Sequence, residues 1–246
     1  MDSGTLYVVA TPIGNLEDLS PRAQQVLRRV DLIAAEDTRH TGRLLSHFGI
    51  DTRQIALHDH NEEAMVTKLL SALKEGKSVA LVSDAGTPLI SDPGYRLVRE
   101  AHASEIRISP VPGASATTAA LSVAGLPTAR FCFEGFLPNK KSARVKRLSE
   151  LCDETRSIVF YESVHRINAT VSDLNEIFGR ERPAFVGREL SNVAVVVDVD
   201  RLADREGRAC HHRTAEIGRH ALRIAEGHEV TGAHGCSYSG TERLMP

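Results

Sequence analysis

The chain of 246 residues has no Trp, and only 4% of its residues are aromatic, so any core it builds must be mostly aliphatic. Its four cysteines, Cys132, Cys152, Cys210 and Cys236, include no CxxC pair. Such sparse, scattered usage argues against a disulfide framework and fits reduced thiols, so the expected compartment is the cytoplasm. No two glycines stand two positions apart, which makes the dinucleotide-binding pattern GxGxxG impossible anywhere in the chain. The "GKS" at residues 76–78 has Ser71 where a phosphate-binding loop needs its earlier glycine, and it precedes an apolar run where that loop must follow one. No long apolar run and no basic leader segment are present, so neither a membrane span nor a signal peptide is expected. A formal net charge of -2 excludes a protein that coats nucleic acid by bulk charge, although it leaves room for a local basic patch. There is no internal repeat.

What is present describes a soluble globular chain: 41% apolar and 25% charged residues, enough for one large or two ordinary domains. Short apolar runs at residues 5–10, 32–35, 54–57, 78–82 and 106–111 read as strands. They alternate with helical stretches at 38–48, 61–75 and 94–102, and with one that starts at Pro21 behind an N-capping Ser20. Asn61 is placed as a cap, and Gly49 and Gly76 as helix stops. Alternation of this kind predicts an α/β fold with a largely parallel sheet. Pro112-Gly113 reads as a hinge, after which the pattern restarts. Helices are expected over 115–122, 141–152 and 166–178, and strands over 131–136, 157–161 and 183–187. The expected division is an N-terminal α/β domain over 1–112, an incomplete C-terminal α/β domain over 113–197, and an atypical tail over 198–246. Residues 193–197 offer one further strand beside Phe185. Residues 191–246 contain no Lys and no Phe, and beyond Asp198 they show isolated apolar residues among Arg, His and Gly, so this tail is expected to be poorly ordered.

In open α/β sheets ligands bind beyond the carboxyl ends of the strands. Three loops rich in Gly and Pro fall there: 11–15, 84–94 and 112–115. The second, within "LVSDAGTPLISDPGYRLV", is too elaborate for a bare connection. "AEDTRH" aims Glu36, Asp37 and Arg39 at the same rim, with an N-terminal helix turn as its plainer reading. "FYESVHR" supplies Glu162, His165 and Arg166, readable equally as a capping network or as a substrate contact. "NKKSARVKR" places five basic residues within eight positions at a helix start. A solvated face is the default, but lysines at a helix N-terminus oppose its dipole, which makes an anionic partner such as RNA phosphate a second reading. "HDHN", from His58 to Asn61, has no second ligand cluster, so hydrogen-bonding histidines are expected and no metal site.

Taken in order, "PIGNLEDLSPRA", "EDTR", "SDAGTPLISDPG", "PGASA", "GFLP", "FYESVHR" and "GREL" resemble the ribosomal small-subunit methyltransferase I group of the tetrapyrrole methylase superfamily, from about Leu6 to Leu190. The resemblance implies two α/β domains with a cofactor cleft between them. It also implies S-adenosylmethionine as cofactor and methylation of the ribose 2'-oxygen of a decoding-region cytidine in 16S rRNA. Pro12, Asp84, Gly86, Thr87, Ser115, Ala116 and Tyr161 are then expected to bind the cofactor. Asp37, Glu36 and His165 are candidates for the catalytic base, and Arg39, Lys140, Lys141, Arg144 and Arg166 for RNA contacts. The expected partner is the small ribosomal subunit, with a homodimer as the usual assembly and no membrane. Two rival readings are a methylase acting on tetrapyrrole or corrinoid precursors, and an inactive remnant that binds only RNA or cofactor. The segment after Leu190 departs from the family, as a shifted reading frame in a GC-rich gene would make it do.

Overall fold

A computed structural model describes residues 4–58 and 61–191, together with the backbone of 195–198. Its centre is a five-stranded sheet of β1 (Thr5–Val9), β2 (Leu32–Ala35), β3 (Gln54–Ala56), β4 (Val79–Val82) and β5 (Arg107–Val111). The strand order is β3-β2-β4-β1-β5 and every pairing is parallel. Helices α1 (Pro21–Arg29), α2 (Thr38–His47), α3 (Glu62–Lys74) and α4 (Tyr95–Ala103) connect the strands.

The apolar runs that read as strands are continuous because both faces of this sheet are covered. Successive side chains of a strand point to opposite faces, and the packing follows that period. Ile33, Ala35, Ala80 and Val82 join Leu27 of α1 and Leu44 and Leu45 of α2 in one core. Ala34, Val79 and Leu81 join Leu69 and Leu73 of α3 and Leu97 of α4 in the other. All four residues of β4 are buried, as its central place requires. The Ser20 hydroxyl accepts from the Ala23 N–H and Pro21 opens α1, as the sequence predicts. Asn61 stands at the start of α3 but does not cap it through its side chain. The side chain instead accepts from the His58 N–H and donates to the Ala56 carbonyl, which closes the loop after β3.

Beyond Gly113 come α5 (Ala116–Val123), β6 (Phe131–Phe136), α6 (Lys141–Glu150), β7 (Ser157–Tyr161), α7 (Ile167–Phe178), β8 (Phe185–Arg188) and β9 (Val195–Asp198). β6 and β7 pair in parallel; β8 and β9 pair antiparallel with Phe185 opposite Asp198, so a strand does lie beside Phe185, over 195–198 where 193–197 was expected. The expected irregular tail beyond Asp198 lies outside the described residues. Among the described residues no helix is long and apolar enough to cross a membrane.

Candidate functional site

The strand order brings the sequence's three loops together. β4, β1 and β5 are adjacent in the sheet, so the loops that leave their carboxyl ends emerge side by side. Thr11, just past β1, and Gly86, past β4, exchange backbone hydrogen bonds of 2.9 and 3.1 Å. The buried Thr11 hydroxyl donates to the Ser83 carbonyl at 3.0 Å. Thr87 donates to the Ala114 carbonyl at 3.2 Å, tying the second loop to the third. Gly86 has φ +82, and a Cβ there would press on the Ile13 side chain at 3.3 Å. Glycine is therefore required twice over, by backbone conformation and by space. Gly113 meets the second of these constraints, since its Cβ would lie 2.9 Å from that of Ala10.

β2 neighbours β4, which adds the "EDTR" segment to the rim. The Asp37 N–H donates to Asp84 Oδ1 at 3.1 Å, and the Asp84 N–H donates to Glu36 Oε2 at 3.3 Å. Asp37 caps α2, and its carboxylate receives the Arg39 N–H at 2.8 Å and the Arg39 guanidinium at 2.6 Å. These hydrogen bonds, the guanidinium's first, hold the Asp37 carboxyl far below the usual carboxylate range. A carboxylate so stabilised is a poor proton acceptor, which weakens Asp37 as a general base.

A shallow, open depression of about 430 Å³ lies beside this rim, with Ile13, Gly113, Ala114, Ser115, Thr118 and Ser191 among the residues lining it. Ser115 stands at the N-terminus of α5 without a side-chain cap bond. Pro12 is buried beneath the first loop. Tyr161, at the end of β7, reaches α5: its hydroxyl lies 2.9 Å from that of Thr117, and its ring meets Phe133 and Phe136 edge-on. The structure thus gathers Pro12, Gly86, Thr87 and Ser115 around one set of loops. It ties Glu36 and Asp37 to Asp84 and links Tyr161 to α5 through Thr117.

The remaining candidates divide. His165 is exposed and sits in the turn before α7. Arg166 belongs to an internal network: it pairs with Glu162 at 2.5 Å, donates to the Leu137 carbonyl at 3.2 Å and bonds the Asn139 side chain. Thr170 completes that network by donating to Glu162 at 2.6 Å. The Glu and Arg of "FYESVHR" form an internal ion-pair network, and no side chain caps the start of α7. Lys140 and Lys141 are exposed at the start of α6. Arg144 is not part of that basic face. It is only 4% exposed and pairs with the buried Asp173 at 2.7 Å, because one helical turn carries it from the solvent face to the α6–α7 interface.

Sequence reading passed over Thr11, Thr117 and Asp92. Burial pushes the Asp92 carboxyl up, and the Asp84 charge adds to this. Its signal was available, since "SDAGTPLISDPG" holds two Ser-Asp pairs in one loop. Leu89 and Ser91 in this loop have φ of 72° and 69°. Left-handed backbone at a side-chain-bearing residue costs about 1–2 kcal/mol, and such strain clusters at ligand clamps and active sites.

Comparison with known proteins gives the family. The model of the tetrapyrrole (corrin/porphyrin) methylases matches residues 5–198. A protein of Xylella fastidiosa named ribosomal RNA small subunit methyltransferase I is 60% identical over 190 residues, which are 77% of this chain and 70% of that one. The protein of the same name from Pseudomonas aeruginosa is 50% identical over 238 residues, covering 95% of this chain and 84% of its own. Among solved structures, diphthine synthase superposes with a TM-score of 0.62 at 17% identity, over 84% of this chain and 86% of that one, a likeness of fold alone. The chain belongs to the tetrapyrrole methylase family and, within it, to the ribosomal RNA small subunit methyltransferase I group.

Proposed function

We propose that this protein transfers a methyl group from S-adenosylmethionine to the ribose 2'-oxygen of a decoding-region cytidine in 16S rRNA. The observation that carries this is the 60% identity to a ribosomal RNA small subunit methyltransferase I, joined to a rim where the residues expected to meet the cofactor lie together. In this reading residues 1–112 supply most of the cofactor loops, and residues 113–197 supply Ser115, Ala116 and Tyr161. The protein works in the cytoplasm on the small ribosomal subunit, as a homodimer.

The rim's features are compatible with the cofactor's chemistry. The rim lacks any glycine-rich phosphate cradle and offers instead the uncapped N-terminus of α5, whose N–H groups favour a carboxylate. Ser115 and Ala116 would hold that carboxylate. Gly86, its backbone paired with Thr11, would leave room for the adenosine half, with Thr87 and Pro12 beside it and Tyr161 opposite. Asp84, braced by Glu36 and Asp37, would accept from the cofactor's polar hydrogens. When bound, the cofactor supplies an activated methyl group on a sulfonium cation.

The protein's contribution is then chiefly orientation, which by itself can lower a barrier by several kcal/mol. The ribose hydroxyl must lose its proton as it attacks. Glu36 and Asp37 stand at the rim beside Asp84, and Asp37 is held by Arg39, which makes it the weaker acceptor of the two. Lys140 and Lys141 would meet RNA phosphate from α6. A-form duplex hides its bases, so the cytidine must be presented in an exposed or distorted segment.

The test is transfer of a labelled methyl group from S-adenosylmethionine to small ribosomal subunits, to free 16S rRNA and to a tetrapyrrole acceptor, in parallel. Label is expected on the subunits, at a cytidine whose 3'-linkage becomes resistant to alkali. Label on the tetrapyrrole, or on a base and not a ribose, would sink the reading.

A further inference from the structure

The motif "GFLP" plays no part in the loops so far described, yet its glycine touches the most elaborate of them. The register between β6 and β7 shifts between Phe133 and Gly135, and Gly135 is buried with φ +63. A Cβ built on Gly135 would lie 2.8 Å from the Ser91 hydroxyl. The volume a side chain would occupy at position 135 is therefore filled by a side chain of the loop after β4. Ser91 is itself exposed, so burial does not fix it, and it stands in the left-handed region two residues after Leu89 does the same. Such a backbone persists only where its surroundings over-determine it. Thr87 anchors one end of the segment through Ala114. Gly94 anchors the other, packed so closely that its Cβ would collide with Leu81 at 2.7 Å. Between those anchors Leu89 packs on the core cluster that contains Leu81 and Leu97, and Ser91 meets Gly135.

The opposite side of this contact is rigid. Leu137, two residues beyond Gly135, accepts from Arg166, which Glu162 and Thr170 lock in place. "GFLP" and "FYESVHR" thus form one shelf, and the loop rests on it.

We propose that Gly135 and Ser91 are positioning residues of the methyl-donor site: the missing side chain at 135 is a seat that sets the conformation in which the loop 84–94 meets the cofactor. The proposal rests on the reading of that loop as the cofactor loop. A side chain at 135 displaces the Ser91 hydroxyl from this seat, and the strained segment between Thr87 and Gly94 loses that contact.

The full chain is compared with Gly135→Ala, Ser91→Gly, the two combined, and Asp84→Ala, by calorimetric titration with S-adenosylmethionine and by amide hydrogen exchange. Gly135→Ala is expected to weaken binding about tenfold and to speed exchange across residues 87–94 by a similar factor, while the amides of β1 and β4 keep their rates. Alanine at 135 is strained by its own positive φ, so the combined variant decides the cause. Glycine at 91 removes the hydroxyl and accepts the left-handed backbone, and most of the affinity and protection should return. In methyl transfer the loss should fall on KM for S-adenosylmethionine, with kcat changed by less than about twofold. Wild-type exchange in the Gly135→Ala loop, or a combined variant no better than Gly135→Ala, overturns the proposal. So does full affinity in Gly135→Ala where Asp84→Ala loses it, an outcome that leaves the donor reading of the loop standing. If loop exchange responds but neither Gly135→Ala nor Asp84→Ala alters affinity, the donor reading falls and carries the proposal with it.

Discussion

Removing the carboxylate of Asp173 should unfold the α6–α7 interface, and the expected cost follows from the burial of its partner. Asp173 and Arg144 are 2% and 4% exposed, and Asp173 Oδ2 accepts from Arg144 Nε at 2.7 Å. Lys141 lies 3.7 Å from the other oxygen, but its side chain is largely in water and is poorly placed to substitute for anything inside. In Asp173→Ala the guanidinium keeps only the bond to the Asn139 carbonyl, at 3.2 Å. An arginine cannot shed its charge when stranded, so the penalty is that of an uncompensated buried cation, about 3–5 kcal/mol. For a unit of this size that lowers the melting midpoint by roughly 6–20 °C. Arg144→Met combined with Asp173→Leu removes both charges and fills the space, so it should be more stable than Asp173→Ala despite the extra change. Differential scanning calorimetry of the three proteins decides. A midpoint for Asp173→Ala within about 3 °C of wild type would refute the reasoning, as would a combined variant worse than the single one. The same pair rules Arg144→Ala out as a probe of RNA binding, since that change would report on folding.

Three further outcomes are expected. Lys140→Ala with Lys141→Ala should weaken binding to the small ribosomal subunit and flatten its salt dependence by about one logarithmic unit for each phosphate that the lysines no longer neutralise; an unchanged slope in filter binding would remove α6 from the RNA surface. Gly86→Val forces a β-branched side chain into φ +82 against Ile13, so calorimetry should show loss of S-adenosylmethionine binding with the circular dichroism spectrum retained. Asp31 accepts from the Ser78 N–H at 2.7 Å and from its hydroxyl at 2.9 Å, and these bonds, the backbone one first, lower its pKa. Because the folded value lies below the unfolded one, Asp31→Asn should melt earlier than wild type above the ordinary carboxylate pKa of about 4, and the gap should close as pH falls through the lowered value. A gap that stays constant from neutral to strongly acid pH would count against that clamp between the starts of β2 and β4.

The fold was legible wherever local signals and burial pointed the same way. Ser20-Pro21 announces α1 by capping chemistry that needs no tertiary partner. The runs at β2, β6 and β7 are bounded as read, because their ends coincide with turn residues or charge. Asn61 was placed at the right helix end for a reason that does not operate: its amide closes the preceding loop, a choice set by the geometry of His58 and Ala56 and invisible to a propensity argument. Strand order lies further out of reach. Nothing local to β1 or β4 says that they are neighbours, yet that adjacency puts Thr11 against Gly86.

The site divides along the same line. Residues that act through backbone conformation, such as Gly86 and Gly94, could be picked out one at a time, because glycine and turn chemistry mark them in the sequence. Residues that act through a partner could not. Arg144 and Lys141 belong to one run of basic residues, and three positions along a helix separate a solvent-facing lysine from an arginine sealed against Asp173. Arg166 looked like a ligand for phosphate until Glu162 and the Leu137 carbonyl were seen to engage it. The charged residues of these motifs therefore sort by whether the fold supplies an internal counter-charge. Where it does, as at Arg144 and Arg166, the residue builds the shelf on which the site stands. Where it does not, as at Lys140, whose side chain is exposed at the end of a helix that repels it, the charge is left to solvent or to an outside anion, which under the proposed function is an RNA phosphate.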